Sequence, residues 1–168
     1  ELAKTGVRGI AYETITSNAG NLPLLAPMSS IAGQISIVVG SYFLLKPNKG
    51  LGVIFGEFIG IKKRIVTVIG AGVAGTEAIK KALANNAHLK VIDLSEKRLN
   101  ELRQELGTDN IDYILSSDEN IIDALSVSDL VIGCVYVLGK EAPKVIKKEM
   151  LSVMKEGSVM VDISIDQG

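Results

Sequence analysis

The chain has 168 residues, 18 Lys and Arg against 19 Asp and Glu, and an apolar fraction of 47% without a single Trp. That length suits one domain of ordinary size, or one domain with a piece of another. A net charge of −1 with no long basic cluster argues against a nucleic-acid binder, and the lone cysteine, Cys134, excludes an internal disulfide and points to a reducing compartment.

The aliphatic, aromatic-poor composition favours buried parallel strands covered by helices over a β-sandwich. The opening "VRGIAY", 7–12, reads as a short strand, and "ETITSNAGNLPLLAP" as a connection between units. From Thr14 to Leu45 no residue is charged. Asn18, Asn21, Pro23, Pro27, Gln34 and several serines interrupt that stretch, so it reads as a buried helix rather than a membrane span, which needs ~20 continuous apolar residues. Pro27 with Ser29 or Ser30 signals a helix over 29–45. Ile31, Ile35, Val38, Tyr42 and Leu45 follow helical spacing, and Ser29, Gly33, Ser36 and Gly40 form a second stripe of small side chains. Such a stripe admits a close neighbour, so the helix is expected to pack on two partners, a sheet and a second subunit.

After the stop "KPNKG", a short strand is expected at 52–55 within a Gly-punctuated stretch. A regular alternation follows: strand 64–69, helix 73–86, strand 88–93, helix 95–106, strand 111–115, helix 118–125, strand 129–135, helix 143–154 and strand 158–164. Strands alternating with helices of this length imply right-handed βαβ units and a doubly wound parallel sheet.

Between the first strand of this alternation and its helix, Gly70-Ala71-Gly72-Val73-Ala74-Gly75 fits G-x-G-x-x-G. Gly70 permits the tight turn, Gly72 lets a pyrophosphate approach the backbone, and Gly75 lets helix and strand lie close. The helix N-terminus supplies unpaired N–H groups and partial positive charge, so an anion is stabilised there without a lysine. Asp93 ends the next strand, close to the ~20-residue spacing at which a carboxylate accepts hydrogen bonds from the adenosine ribose. It favours NAD over NADP, a preference that nearby Arg98 softens. Ser116, Ser117, Val135, Tyr136, Val137, Ser164, Ile165 and Asp166 stand at later strand ends, where such sheets gather ligands. For all of these but Asp166, loop chemistry or core packing is the simpler reading. Asp166 is a carboxylate just beyond a buried strand. His88, the single histidine, lies at the amino end of its strand and reads as a surface residue, and Cys134 reads as core.

The stretches "LPLLAPMSSIAG", "VIGAGVAG", "SDLVIGCV" and "EAPKVIKKEMLSVMKEGSVMVDISIDQG" resemble the alanine dehydrogenase family, which shares its fold with the soluble subunit of proton-translocating nicotinamide nucleotide transhydrogenase. The resemblance covers nearly the whole chain. It implies a Rossmann-type NAD-binding domain over 28–168, preceded over 1–27 by the end of an amino-terminal catalytic domain and its connection. It also implies NAD-linked, reversible oxidative deamination of L-alanine to pyruvate and ammonia, in a cytoplasmic homo-oligomer, a hexamer in the family. A short segment between Ser117 and Asp129, and a charged Asp166, favour the dehydrogenase over the transhydrogenase. A non-catalytic NAD-sensing domain is a further alternative. Carried over by match are Ser29 for the cofactor, Gly70, Gly72, Val73 and Gly75 for the pyrophosphate, and Asp93 and Arg98 for the adenosine ribose. Ser116, Val135 and Tyr136 match positions lining the cofactor. Ile163, Ser164, Ile165 and Asp166 match the segment beside the nicotinamide, with Asp166 the catalytic candidate. The start at Glu1 and the abrupt end read as cut points. The family's substrate-gripping arginine, lysine and histidine are absent, so this stretch is expected to bind NAD and to be inactive alone.

Overall fold

The computed structural model describes residues 4–137 and 142–165. Five parallel strands form one sheet in the order β3-β2-β1-β4-β5: β1 Ile65–Ile69, β2 His88–Asp93, β3 Ile111–Leu115, β4 Leu130–Gly133 and β5 Val159–Asp162. β1 lies at the centre, with Val66 level with Leu89 of β2 on one side and Leu130 of β4 on the other. Among the described residues four α-helices accompany them: α1 Leu25–Phe43, α2 Val73–Ala84, α3 Glu96–Leu106 and α4 Asp118–Val127.

Both sheet faces are covered, as the near-continuous apolar runs require. On one face Val66, Val68, Leu89, Val91, Leu130 and Ile132 pack with α1, α2 and α3. On the other, Ile69, Ile92 and Val131 pack with α4 and with Met150. The sheet is therefore doubly wound, and the chain changes direction across it between β1 and β4. One polar residue interrupts the central strand. Thr67 is fully buried and its hydroxyl pairs with that of Ser128 at 2.6 Å, while Ser128 donates to the Ala124 carbonyl. The pair is satisfied internally, so its burial carries little penalty.

α1 begins at Leu25, ahead of the expected 29, and ends at Phe43. Pro27 falls in its first turn, where a missing N–H removes no hydrogen bond. Its small stripe faces inward. A methyl on Gly33 would lie 2.1 Å from the Ala74 carbonyl oxygen of α2, and one on Gly40 would lie 2.5 Å from Leu130 of β4. The large stripe faces out, with Ile31 61%, Ile35 51%, Val38 57% and Tyr42 58% exposed.

Two expected strands are absent and one expected helix is shortened. Residues 7–12 form no strand; Val7 and Ile10 are exposed, and only a short 3-10 turn follows at Tyr12–Thr14. A strand needs a ladder partner, and apolar alternation alone does not supply one. Residues 52–55 form no strand either. That segment is pinned by the Gly52 N–H to the Leu44 carbonyl and, beside it, the Leu51 N–H to the Gly157 carbonyl. Helix 143–154 shrinks to a 3-10 segment at Lys148–Val153, because Met150 alone is buried there while Leu151 and Val153 stay exposed. Among the described residues, no helix is long and apolar enough to cross a membrane.

Candidate functional site

The glycine turn leaves β1 at the switch point. Gly70 adopts φ +96°, and a methyl there would meet the Cys134 carbonyl group at 2.9 Å, so the turns after β1 and β4 touch. A methyl on Gly75 would lie 1.9 Å from the Gly70 carbonyl oxygen, which is how closely α2 seats on the strand end. Gly72 differs. It is exposed, and a methyl there meets no heavy atom within 4 Å. Of three glycines at this turn, two serve packing and turn geometry, and one keeps a surface open.

The helix behind the turn differs from the two that follow it, though α1 is likewise without a side-chain cap. α3 is capped by Ser95, which accepts the Arg98 N–H, and α4 by Ser117, which accepts the Asn120 N–H. No side chain caps α2, which starts behind Gly72. Its first-turn N–H groups are left for an external acceptor.

Asp93 lines the crevice where β2 ends. Its Oδ2 accepts the Ala71 N–H at 2.7 Å and its Oδ1 accepts the Ser95 N–H at 2.8 Å. A carboxylate has about four lone-pair sites. One per oxygen thus remains, the number a ribose diol needs. Arg98 stands beside it, donating from Nε to the Ala71 carbonyl at 2.8 Å and from its two terminal nitrogens to Thr76 Oγ1 at 2.8 Å and Glu101 at 3.2 Å.

Ser29, Gly70, Gly72, Val73, Asp93, Ser116, Val135 and Tyr136 line one crevice of about 1010 Å³ over the carboxyl ends of the strands. Gly75 supports it from behind. Arg98 borders a smaller adjoining cleft with Gly72, Val73, Thr76 and Glu77. Ser164 lines a third, of about 370 Å³, with Gly133, Val135 and Asp162, and donates its N–H to Asp162 Oδ1 at 2.8 Å. Ile163 packs on the core, and Ile165 is exposed. Asp166 lies outside the described residues. His88 is half-buried at the start of β2, where Nε2 pairs with Asp112 at 3.1 Å. Burial of Asp112 opposes its ionisation, but hydrogen bonds from His88 and Lys90 outweigh that and hold its pKa below the ordinary value. Cys134 is buried, and burial, with Asp162 nearby, pushes its thiol up to about 12, so it is no nucleophile at neutral pH.

Sequence reasoning missed the rim of the crevice. Leu22, Pro23 and Ala26, just before and inside the start of α1, line it, and so do Pro143 and Lys144. The signals for the first group were the uncharged run before Pro27 and the resemblance stretch "LPLLAPMSSIAG" that contains it. The Arg98–Ala71–Thr76 contacts had no signal at all, since they join positions far apart along the chain.

A doubly wound parallel sheet, a glycine turn at its switch point and an acid ending the second strand define a Rossmann-type nucleotide-binding domain. The chain belongs to the alanine dehydrogenase/PNT C-terminal domain family, whose profile matches residues 36–168. It is 46% identical over 167 residues to an alanine dehydrogenase of Staphylococcus haemolyticus, covering 99% of this chain and 44% of that protein. It is 43% identical over 162 residues to one from Geobacillus stearothermophilus, covering 96% and 43%. A solved L-alanine dehydrogenase superposes with a TM-score of 0.92 at 38% identity, over 99% of this chain and 46% of that one. A transhydrogenase from Sinorhizobium meliloti shares the fold at a TM-score of 0.74 and 23% identity, over 86% and 42%. The chain thus spans under half the length of these relatives. Family and fold together imply a domain for a nicotinamide cofactor.

Proposed function

We propose that this chain is the NAD-binding part of a cytoplasmic alanine dehydrogenase, an oxidoreductase that interconverts L-alanine with pyruvate and ammonia. One observation carries the cofactor reading. The uncapped start of α2 lies behind the open surface of Gly72 and beside Asp93, which keeps one acceptor site free on each oxygen. A diphosphate satisfies the first and a ribose diol the second, while the negative charge of Asp93 repels a 2′-phosphate and selects NAD. When bound, the cofactor supplies hydride acceptance. The chain's own residues hold and orient it: Gly70, Gly72, Val73 and Gly75 shape the diphosphate seat, with Arg98 bound to the turn behind them, Asp93 holds the adenosine ribose, and Ser29, Ser116, Val135 and Tyr136 form the walls. Ile163, Ser164, Ile165 and Asp166 are assigned to the nicotinamide end, and Asp166 is the one of them we assign to the reaction itself. The substrate grip is assigned to residues outside this chain.

The high identity to alanine dehydrogenases, against a likeness of fold alone to the transhydrogenase, supports alanine as substrate. The outward stripe of α1 supports a homo-oligomer, hexameric as in the family. Met28, Ile31, Ile35, Val38 and Tyr42 repeat at alternating three- and four-residue steps and are all exposed, the pattern of a two-helix seam.

Titration of the full-length protein with NADH and NADPH tests the cofactor reading. NADH is expected to bind more tightly. Asp93→Ala is expected to weaken NADH by roughly 10- to 100-fold, the scale of a hydrogen-bonded charged group. A preference for NADPH overturns the assignment of Asp93. Asp166→Asn is expected to lose most ammonia-dependent NADH oxidation with pyruvate while keeping NADH affinity; unchanged turnover removes Asp166 from the site.

A further inference from the structure

Ala71 is fully buried, and its two backbone polar groups are taken by the last residue of β2 and by the helix that follows it. Its N–H goes to Asp93 Oδ2, and its carbonyl accepts from Arg98 Nε. The two clamping residues are joined in turn. Asp93 Oδ1 accepts the Ser95 N–H, and Ser95 Oγ accepts the Arg98 N–H at 3.2 Å. A closed hydrogen-bonded circuit, Ala71–Asp93–Ser95–Arg98–Ala71, therefore surrounds the one residue between the first two glycines of the turn.

The consequence lies in the next peptide. The Ala71 carbonyl and the Gly72 N–H belong to one planar trans peptide unit, so they point in opposite directions. Fixing the carbonyl toward Arg98 aims the Gly72 N–H away from it. Gly72 lacks a Cβ, so sterics restrain the 71–72 peptide less than at other residues and its orientation leans on its hydrogen bonds, the Arg98 anchor at 2.8 Å being shorter than the 3.3 Å contact of Thr76 Oγ1 with the same carbonyl. The guanidinium is itself held by Thr76 Oγ1 and Glu101, and Thr76 also donates to the Gly72 carbonyl at 2.8 Å. Arg98 thus grips the carbonyl of Ala71 directly and, through the Thr76 hydroxyl, supports that of Gly72, which the Thr76 N–H also holds at 2.9 Å.

We infer that Arg98 is a positioning residue: it sets the Ala71–Gly72 peptide so that the Gly72 N–H meets a diphosphate, instead of contacting the adenosine ribose. The inference rests on the dinucleotide reading above. It separates two residues that stand side by side, with Asp93 acting on the ribose and Arg98 acting on the diphosphate through the turn.

The test measures dissociation constants of NADH, ADP-ribose and adenosine for the full-length protein and for Arg98→Met and Thr76→Val, with thermal unfolding followed alongside. Arg98→Met keeps most of the side-chain volume and removes the clamp. NADH and ADP-ribose are expected to weaken about tenfold, the scale of one hydrogen bond to a charged group, and adenosine to stay within about twofold, because adenosine carries no phosphate to miss the turn. Thr76→Val is expected to weaken ADP-ribose about threefold and to spare adenosine. Thr76 is buried and its hydroxyl is taken up by the turn and Arg98, which makes the turn its route to the diphosphate. If Arg98→Met does not fold, Thr76→Val decides by the same comparison. Loss of adenosine affinity equal to that of ADP-ribose would make Arg98 a direct contact and overturn the inference. Unchanged ADP-ribose binding in the folded variants would overturn it as well. Wild-type protein that binds none of the three ligands would instead refute the dinucleotide reading on which it stands.

Discussion

Alanine placed separately at Gly75 and Gly72 distinguishes packing from binding within one turn. At Gly75 the added methyl would sit 1.9 Å from the Gly70 carbonyl oxygen and 2.9 Å from its carbon. Ordinary C···O contacts begin near 3.3 Å, so α2 must retreat by roughly 1.4 Å from the strand end. Overpacking of that kind costs up to ~3 kcal/mol, and the better helix propensity of alanine returns about 1, leaving a net loss near 2 kcal/mol. For a domain of this size that lowers the melting temperature by roughly 4–8 °C. At Gly72 nothing lies within 4 Å of the added methyl, and φ is −67°, which alanine adopts freely. Stability should change by no more than about 0.5 kcal/mol. Binding should fall roughly 10- to 100-fold, because the methyl occupies the approach of the diphosphate. Thermal unfolding without ligand, with calorimetric titration of NADH into the full-length protein, measures both. A Gly72→Ala variant that binds NADH like the wild type, or that melts as early as Gly75→Ala, would refute the reasoning.

Asp129→Ala should lose about 1–3 kcal/mol in urea unfolding, since the buried carboxylate accepts the Ile65 N–H at 2.9 Å and Lys155 at 2.8 Å and so ties the starts of β1 and β4 together; a change below about 0.5 kcal/mol would show that this tie is dispensable. Native Cys134 should resist a chromogenic disulfide reagent at pH 8 and react once unfolded. Its folded pKa is raised from 9.0 to about 12, so the folded state holds a proton that the unfolded state releases in that window. The stability of the wild type relative to Cys134→Ala should therefore fall as pH rises through it, and a constant difference would contradict the shift. Ile35→Lys combined with Val38→Lys places two charges on the outward seam of α1 and should lower the solution mass measured by light scattering, whereas an unchanged mass would exclude this face as an interface.

Length, periodicity and turn chemistry are local, and what they control was readable. The five strands lie where apolar runs end at glycine, serine or acidic residues, and α2, α3 and α4 lie where helical spacing follows those ends. The glycine turn and Asp93 were readable for the same reason, because one βαβ unit brings them together within a short stretch. The absent strands at 7–12 and 52–55 and the shortened helix at 143–154 were not, since a ladder partner or a burying surface belongs to another part of the chain. The two stripes of α1 show the boundary most clearly. The sequence by itself determined that one face was small and the other large and apolar. Only the tertiary structure decided that the small face meets α2 and the sheet while the large face points outward, because a backbone can come within van der Waals reach of Ala74 and Leu130 only where no side chain stands between. Likewise the sequence set an arginine near Asp93, and the packing of α3 against the turn decided that its guanidinium holds the Ala71 carbonyl.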